Sequence, residues 1–176
     1  MPLSSNSART TLVLGGARSG KSRYAEELLA AHDGARTYIA TAEARDAEMA
    51  ARIAEHQARR GPGWRTVEQP LDLVGALEVY CGPKGAVLVD CLTLWLSNLV
   101  AASRDIAAET AGLTAALGRL PGRAVLVSNE VGLGIVPQST LGREFRDHAG
   151  RLNQAVAEVT DEAVFITAGL PFRLKP

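Results

Sequence analysis

Eight consecutive residues near the start of the chain have the types and the spacing of a phosphate-binding loop. The segment reads Gly15-Gly16-Ala17-Arg18-Ser19-Gly20-Lys21-Ser22, with the order glycine, four residues, then Gly-Lys-Ser. Glycines let the backbone turn tightly enough to direct several N–H groups at one anion. In such a P-loop Lys21 reaches the β- and γ-phosphates of a nucleoside triphosphate, and the hydroxyl of Ser22 ligates Mg²⁺.

The segments on either side of the loop are those that a P-loop requires. The apolar run Thr11–Leu14 precedes it and predicts a buried strand, and Arg23–Leu29 follows it with helical spacing. A helix that begins at the loop directs the positive end of its dipole at the bound anion. The alternative is a chance glycine-rich turn, which would not explain why a strand precedes the loop and a helix follows it. We therefore expect a nucleoside triphosphate site.

A carboxylate ends a second apolar run, Val87–Asp90. In P-loop proteins this arrangement is the Walker B element, whose aspartate helps to hold Mg²⁺. The alternative role for Asp90 is to cap the helix that begins near Leu92, because aspartate is common at that place. The presence of the P-loop favours the magnesium role.

Glu130 follows a further apolar run, Ala124–Ser128, and is therefore expected at the same edge of the sheet. It could orient a water or a substrate hydroxyl, or it could be a loop carboxylate in water. The pattern alone does not choose between these roles.

His56 lies in a segment, Asp46–Arg60, that has helical spacing. A histidine on an apolar helix face is ordinarily a satisfied boundary residue. Arg59 and Arg60 follow it closely, however, and arginines clamp phosphate oxygens bidentately. A neutral histidine in that setting can attack phosphorus, so both roles stay open for His56 on residue pattern alone.

The rest of the chain alternates strands and helices. Strands are predicted at Arg36–Thr41, Trp64–Glu68, Ala86–Asp90, Ala124–Ser128 and, as the last one, Ala163–Ala168. Helices are predicted at Asp46–Arg60, Leu71–Tyr80, Leu92–Ala102, Ile106–Leu120 and Ser139–Thr160. Apolar strands separated by helices predict an α/β fold, a mostly parallel sheet with helices on both faces. Ligands are then expected at the carboxyl ends of the strands.

Composition indicates one soluble domain. The chain has 176 residues, 47% of them hydrophobic, and a formal net charge of zero with no basic block, which argues against nucleic-acid binding. We expect a disordered tail over residues 1–9 and one domain over residues 10–176. No run is long enough to span a membrane, no signal peptide is recognisable, and Cys81 and Cys91 lack metal-type spacing. A cytoplasmic protein with reduced thiols is therefore expected.

Several motifs in a fixed order make the sequence resemble a known family, the bifunctional adenosylcobinamide kinase/adenosylcobinamide-phosphate guanylyltransferases of cobalamin synthesis. The resemblance runs from Leu12 to about Ala168. The matching segments are Gly15–Ser22, Tyr38–Ala42, Asp46–Glu68 with His56, Val89–Thr93, Ser128–Pro137, Phe145–Asp147 and Gly150–Gln154.

The resemblance implies two reactions. A nucleoside triphosphate, ATP or GTP, phosphorylates adenosylcobinamide. GTP then transfers GMP to adenosylcobinamide phosphate, giving adenosylcobinamide-GDP and pyrophosphate through a guanylyl-histidine. The motif position carries the histidine role to His56, beside Lys21 as the second catalytic residue and Mg²⁺ as the cofactor.

The resemblance also implies a RecA-like P-loop NTPase fold, a homotrimer and a larger nucleotide site. Besides the P-loop, this site would be lined by Ile39, Ala40, Thr41, Gln57, Ala58, Arg59, Arg60, Glu68 and Asp90, with Ser22 and Asp90 on the metal. Gln57 and Ala58 depart from the family, where more basic residues are frequent, so a GTP contact at these two positions is either made by the backbone or absent.

Two other functions fit the P-loop without the resemblance: a plain small-molecule kinase and a nucleotide-dependent switch. A regulatory GTPase is disfavoured because the chain has no Asn-Lys-x-Asp and no Asp-x-x-Gly element. The plain small-molecule kinase would need no covalent histidine intermediate. The nucleotide-dependent switch would bind nucleotide without forming product.

Overall fold

The computed structural model describes residues 9–42, 61 and 63–175, and within them it shows one mixed sheet packed between helices. The strands are β1 (Thr10–Gly15), β2 (Ala35–Ala40), β3 (Trp64–Glu68), β4 (Gly85–Asp90), β5 (Arg123–Asn129), β6 (Glu162–Thr167) and β7 (Leu170–Lys175). The helices in these ranges are α1 (Lys21–Ala30), α2 (Leu73–Tyr80), α3 (Leu92–Ala101), α4 (Ile106–Leu117) and α5 (Thr140–Val159). The helix predicted over Asp46–Arg60 lies outside the described residues.

The sheet has the order β3-β2-β4-β5-β1-β6-β7, and every neighbouring pair except β6–β7 is parallel. Successive strand residues point to opposite faces. Leu12 therefore packs in the core beneath α2, α3, α4 and α5, whereas Val13 packs beneath α1. The predicted mostly parallel sheet with helices on both faces is confirmed.

The strand order brings the chemical groups of the sequence to one edge. β1, which leads into the P-loop, lies beside β5, and β5 lies beside β4, which ends at Asp90. In register, Gly15 is opposite Asn129 and Ala40 is opposite Asp90. Because these strands are parallel, their carboxyl ends meet at the same edge, where a ligand is expected.

β7 is the element that the sequence analysis missed, because the sheet was expected to end at Ala163–Ala168. A two-residue turn, with φ of 52° at Ala168 and 78° at Gly169, returns the chain antiparallel to β6. Positive φ at both turn positions suits the twist of a hairpin. Pro171 is tolerated because β7 is an edge strand.

The sequence predicts both ends of α5 correctly, but not the carboxyl end of α4. α5 begins and ends as predicted: the Ser139 side chain accepts from the N–H of Gly142, and Thr160 closes the last turn. α4 stops at Leu117 instead of the expected Leu120, since Gly118 takes the cap position.

The amino end of β1 is fixed by Asp161, at the start of the turn into β6. Its Oδ2 accepts from the backbone N–H groups of Arg9 and Thr10 at 3.0 and 2.8 Å and from the Thr10 hydroxyl at 2.9 Å. Burial opposes ionisation of Asp161, but the bonds from Thr10 and Arg9 prevail and lower its pKa. Residues 1–8 of the expected tail lie outside the described part, whereas Arg9 is tied to the domain.

Candidate nucleotide-binding site

The P-loop connects β1 to α1 and closes on itself. The carbonyl oxygen of Gly16 accepts from the Ser19 N–H at 3.3 Å and from Lys21 Nζ at 3.0 Å. Gly20 has φ of 97°, a left-handed conformation that favours glycine. A β-carbon on Gly15 would lie 2.6 Å from the carbonyl oxygen of Ile166. The loop therefore requires both glycines of its motif, and the predicted strand–loop–helix context is confirmed.

Several donors at the loop are available to an anion. α1 begins at Lys21 directly after Gly20, and no side chain caps its first turn. Uncapped N–H groups at a helix start bind phosphate well. Ser19 Oγ is buried and makes no hydrogen bond within the described residues. This set of donors suits the oxygens of a nucleotide phosphate.

The β6–β7 turn contacts the backbone of the P-loop. The sequence analysis missed this contact because it did not predict β7. The N–H of Gly169 donates to the carbonyl oxygen of Ser19 at 2.9 Å. A β-carbon on Gly20 would lie 3.3 Å from the Cα of Gly169, so the two backbones are in close contact. The sequence signal was the Ala168–Gly169 pair between the apolar run Ala163–Ile166 and a second run in which Leu170, Phe172 and Leu174 alternate with other residues.

Asp90 lies at the end of β4, and its carboxylate is bound by a neighbouring strand. The hydroxyl of Tyr38 donates to Asp90 Oδ2 at 3.0 Å. The cap position of α3 is occupied by Cys91, and no side chain caps that helix. The alternative role of Asp90 as a helix cap is therefore wrong, and its carboxylate faces the edge that holds the P-loop.

The Cys91 thiol shows that Lys21 and Asp90 converge. Burial and, to a smaller extent, the Asp90 charge together raise the pKa of this thiol to about 12, against an opposing effect of the Lys21 charge and of nearby backbone hydrogen bonds. Both charges therefore act on one buried atom between the P-loop and the end of β4. A thiol with this pKa is not ionised near neutral pH, so Cys91 is not a nucleophile.

Thr41, expected in the nucleotide site, is fully buried just after β2. Its Oγ1 accepts from the Cys91 N–H at 2.8 Å and donates to the Cys91 carbonyl oxygen at 2.7 Å. A nucleotide contact through this hydroxyl would break those bonds. Ile39 and Ala40 are buried as well, whereas Glu68, at the end of β3 and opposite Ala40, is exposed at the same edge.

The end of β5 is held beside the P-loop by polar side chains that the sequence analysis did not single out. Ser128 donates to Asn153 Oδ1 at 2.7 Å, and Thr93 Oγ1 accepts from the Asn129 N–H at 2.7 Å. These residues belong to the motifs of the family resemblance, which was the available signal. The side chains of Ser128, Asn153 and Thr93 are buried, so they fix the position of the strand end.

Glu130 contacts the P-loop through its backbone. Its N–H donates to the Gly15 carbonyl oxygen at 3.1 Å, whereas its Oε1 accepts from the Gly132 N–H at 2.6 Å. Of the two roles left open for this residue, the structure favours the carboxylate that stabilises its own loop.

No group of three His, Cys, Asp or Glu side chains forms a metal cluster within residues 9–42, 61 and 63–175. Mg²⁺ does not need one, because it usually binds one or two protein oxygens together with phosphates and waters. Ser22, in the first turn of α1, and Asp90 offer a hydroxyl and a carboxylate of the suitable kind.

Comparison with known proteins identifies the family of the chain. The sequence profile of the family described as "Cobinamide kinase / cobinamide phosphate guanyltransferase", CobU, matches residues 11–174. The chain belongs to this family. The segment that matches includes all the strands from β2 to β6 and all five described helices.

Curated CobU-family relatives are similar over nearly their full length. The "Bifunctional adenosylcobalamin biosynthesis protein CobP" of Pseudomonas aeruginosa is 52% identical over 166 residues, which cover 93% of this chain and 96% of the relative. The "Bifunctional adenosylcobalamin biosynthesis protein CobU" of Escherichia coli K12 is 42% identical over 180 residues, which cover 93% and 98%.

Among solved structures, a prototypical ATPase from the type III secretion system of pathogenic bacteria has a TM-score of 0.60 at 13% identity. The alignment covers 94% of this chain, which spans 56% of the ATPase chain. At this identity the likeness concerns the fold alone. It agrees with a P-loop NTPase fold for this CobU-family chain.

The residues of the CobU resemblance that surround the histidine, His56, Gln57, Ala58, Arg59 and Arg60, lie outside the described residues. Two other histidines lie in the described residues. The Nε2 atom of His32 is 3.1 Å from the carbonyl oxygen of Lys84, near the amino end of β4. His148 lines a cleft with Phe145. None of the described helices is long and apolar enough to cross a bilayer.

Proposed function

We propose that this chain is a bifunctional enzyme that phosphorylates adenosylcobinamide and then transfers GMP from GTP to adenosylcobinamide phosphate. The observation that carries the proposal is the family match over residues 11–174. It is supported by a P-loop whose lysine and uncapped helix lie at the same edge as Asp90. These are the parts that phosphoryl transfer needs.

In the kinase step the substrate hydroxyl oxygen attacks the γ-phosphorus of the triphosphate. The bond from that phosphorus to the β–γ bridging oxygen breaks, the nucleoside diphosphate leaves, and the hydroxyl proton passes to solvent. Lys21 and the N–H groups at the start of α1 stabilise the phosphate oxygens as charge builds on them. The Gly169 contact to Ser19 and the Gly20 backbone hold those donors in place.

Ser22 and Asp90 are the residues that would hold Mg²⁺ in both steps. A hydroxyl and a carboxylate fit a cation that prefers oxygen ligands. When bound there, Mg²⁺ neutralises charge on the phosphate oxygens. The residues around Asp90 contribute by keeping its carboxylate at the sheet edge.

In the guanylyl step we propose that a ring nitrogen of His56 attacks the α-phosphorus of GTP and releases pyrophosphate. A phosphate oxygen of adenosylcobinamide phosphate then attacks the same phosphorus, and the histidine leaves unchanged. Imidazole suits this exchange because its neutral form is abundant near pH 7. Arg59 and Arg60 are proposed to bind phosphate oxygens, and Ile39, Ala40, Thr41, Gln57, Ala58 and Glu68 to complete the nucleotide site.

We further propose that the enzyme is a cytoplasmic homotrimer. The exposed apolar side chains of β7 support an oligomer: Leu170, Phe172 and Leu174 are 69%, 64% and 53% exposed on one face of the strand. A contiguous apolar surface of this kind suits burial against another chain. Both cysteines are free thiols, which suits a reducing compartment.

Covalent labelling tests the proposed function. GTP labelled at the α-phosphorus, supplied without corrinoid, is expected to leave acid-labile label on the protein, whereas label at the γ-phosphorus leaves none. His56→Ala should lose the label and the transferase reaction. His32→Ala and His148→Ala are matched controls that should keep both.

Two results would contradict the proposal. Label that persists in His56→Ala would place the covalent step on another residue. An unaltered protein that takes no label but consumes ATP with adenosylcobinamide would be a kinase alone.

A further inference from the structure

Tyr38 of β2 and Asp90 of β4 lie on neighbouring strands and on the same face of the sheet. In the parallel register Tyr38 is opposite Leu88 and Ala40 is opposite Asp90. The Tyr38 ring is buried in the apolar cluster beneath α1, together with Leu88 and Leu29. The ring is therefore fixed, and its hydroxyl extends along the strand to Asp90 Oδ2, 3.0 Å away.

We propose that Tyr38 is a positioning residue for Asp90: its hydroxyl orients the carboxylate toward the cation of the bound nucleotide. The inference rests on the proposed function only in assigning Asp90 to that cation. An aspartate does not fix its own carboxylate, because rotation about the terminal torsion is broad. A hydrogen bond from a neutral hydroxyl to a carboxylate is strong enough to select one orientation.

The backbone that carries the carboxylate is fixed separately, by Thr41. Its hydroxyl binds both the N–H and the carbonyl oxygen of Cys91, and its own N–H donates to the Asp90 carbonyl oxygen at 3.1 Å. Asn98 in turn donates to the Thr41 carbonyl oxygen at 2.8 Å. Since the main chain is held in this way, we expect loss of the Tyr38 hydroxyl to act on the side chain of Asp90 and not on its backbone.

This arrangement separates a positioning role from a structural one. If the Tyr38 hydroxyl served only to satisfy a buried polar group, its removal would lower stability and leave cation binding unchanged. If it orients Asp90, its removal lowers the affinity for the cation in the nucleotide complex. Binding of the nucleotide without metal, which depends on the P-loop, should not change.

The variant for the test is Tyr38→Phe, which keeps the ring. Tyr80→Phe is the matched control, since Tyr80 lies on α2 and its carbonyl oxygen is near Gly85, at the opposite end of β4 from Asp90. Mn²⁺ is titrated into the protein–GTP complex and its binding is followed by electron paramagnetic resonance. The affinity for Mn²⁺ is expected to fall about ten- to a hundredfold in Tyr38→Phe, the effect of one hydrogen bond to a charged group, and to stay within about twofold in Tyr80→Phe.

A second pair of variants shows whether Tyr38 acts through Asp90. In an Asp90→Asn background, Tyr38→Phe should cause no further loss of Mn²⁺ affinity, because the group that it orients has gone. Affinity for fluorescent GTP in EDTA should match the unaltered protein in Tyr38→Phe. Unchanged Mn²⁺ affinity in Tyr38→Phe, an equal loss of metal-free GTP binding, or an additive loss in the double variant would overturn the inference.

These outcomes are distinct from a failure of the proposed function. If the unaltered protein neither phosphorylates adenosylcobinamide nor takes label from GTP, the enzyme assignment is wrong. The Mn²⁺ titration uses only nucleotide and cation, so it still tests the role of Tyr38.

Discussion

The N–H of Gly169 donates to the carbonyl oxygen of Ser19, so the last hairpin of the described sheet supports the loop that begins the nucleotide site. The two residues are far apart in the sequence, and only the β6–β7 turn brings them together. The turn has a left-handed backbone at Gly169, with φ of 78°. The position of the P-loop therefore depends on this turn as well as on β1 and α1.

Replacement of Gly169 by alanine should weaken nucleotide binding. A β-carbon in the left-handed region costs roughly 1–2 kcal/mol, which the turn can relieve by moving away from Ser19. We expect GTP affinity, measured by fluorescence titration, to fall a few-fold. Gly82→Ala is the control, because a β-carbon there meets no atom within 4 Å and no positive φ is involved. Equal affinities in the two variants would contradict a supporting role for the turn.

Gly15 and Gly16 should differ sharply when each is replaced by alanine. A β-carbon on Gly15 would lie 2.5 Å from Ser19 Oγ and 2.6 Å from the Ile166 backbone oxygen, whereas one on Gly16 meets nothing within 4 Å. Overpacking of this kind costs about 1–3 kcal/mol. Thermal unfolding without nucleotide should show a lower midpoint for Gly15→Ala, by several degrees, and little change for Gly16→Ala. A similar midpoint for both variants would show that the Gly15 site can relax.

Lys21→Ala should abolish both proposed reactions, since both use the triphosphate held by the P-loop. Loss of one charged donor aimed at transition-state oxygens typically lowers kcat by about 10²–10³-fold. Product analysis with adenosylcobinamide and with adenosylcobinamide phosphate measures each step separately. Lys84→Ala is a control of the same type, because Lys84 precedes the amino end of β4. Full kinase activity in Lys21→Ala would be incompatible with the proposed site.

Asp161 should make the stability of the fold depend on acid pH. Its pKa is lowered in the folded state by the bonds from Thr10 and Arg9, against the opposing effect of burial. A lowered folded-state pKa stabilises the fold above the unfolded-state pKa, and this contribution is lost as pH falls through the folded-state pKa. Urea midpoints of the unaltered protein and Asp161→Ala should therefore differ at pH 7 and converge below about pH 4. A difference that stays constant as pH falls well below the unfolded-state pKa would exclude a contribution from the ionised carboxylate.

Much of the fold followed from local pattern, because the buried strands are apolar throughout and three helices, α2, α4 and α5, begin at side-chain caps. The P-loop and Asp90 were placed correctly at one edge, since carboxyl ends of parallel strands meet there. β7 was missed because its turn, Ala168–Gly169, is a weaker hairpin signal than Asn-Gly and Pro171 argues against a strand. The contact of Tyr38 with Asp90 was not predictable, because it depends on the register of two strands about fifty residues apart in the chain.

The neighbours of β1 in the sheet determine when the site can form during synthesis. Among the strands of residues 9–42 and 63–175, β1 pairs with β5 and β6 alone, which begin at Arg123 and Glu162. A nascent chain that ends before Arg123 therefore has its glycine-rich loop but no strand beside β1. Pairing over such sequence separations is slow, because the chain entropy is lost before the contacts are made. The glycine-rich loop, which is translated before β5 and β6, thus acquires its binding conformation only after both strands have been made.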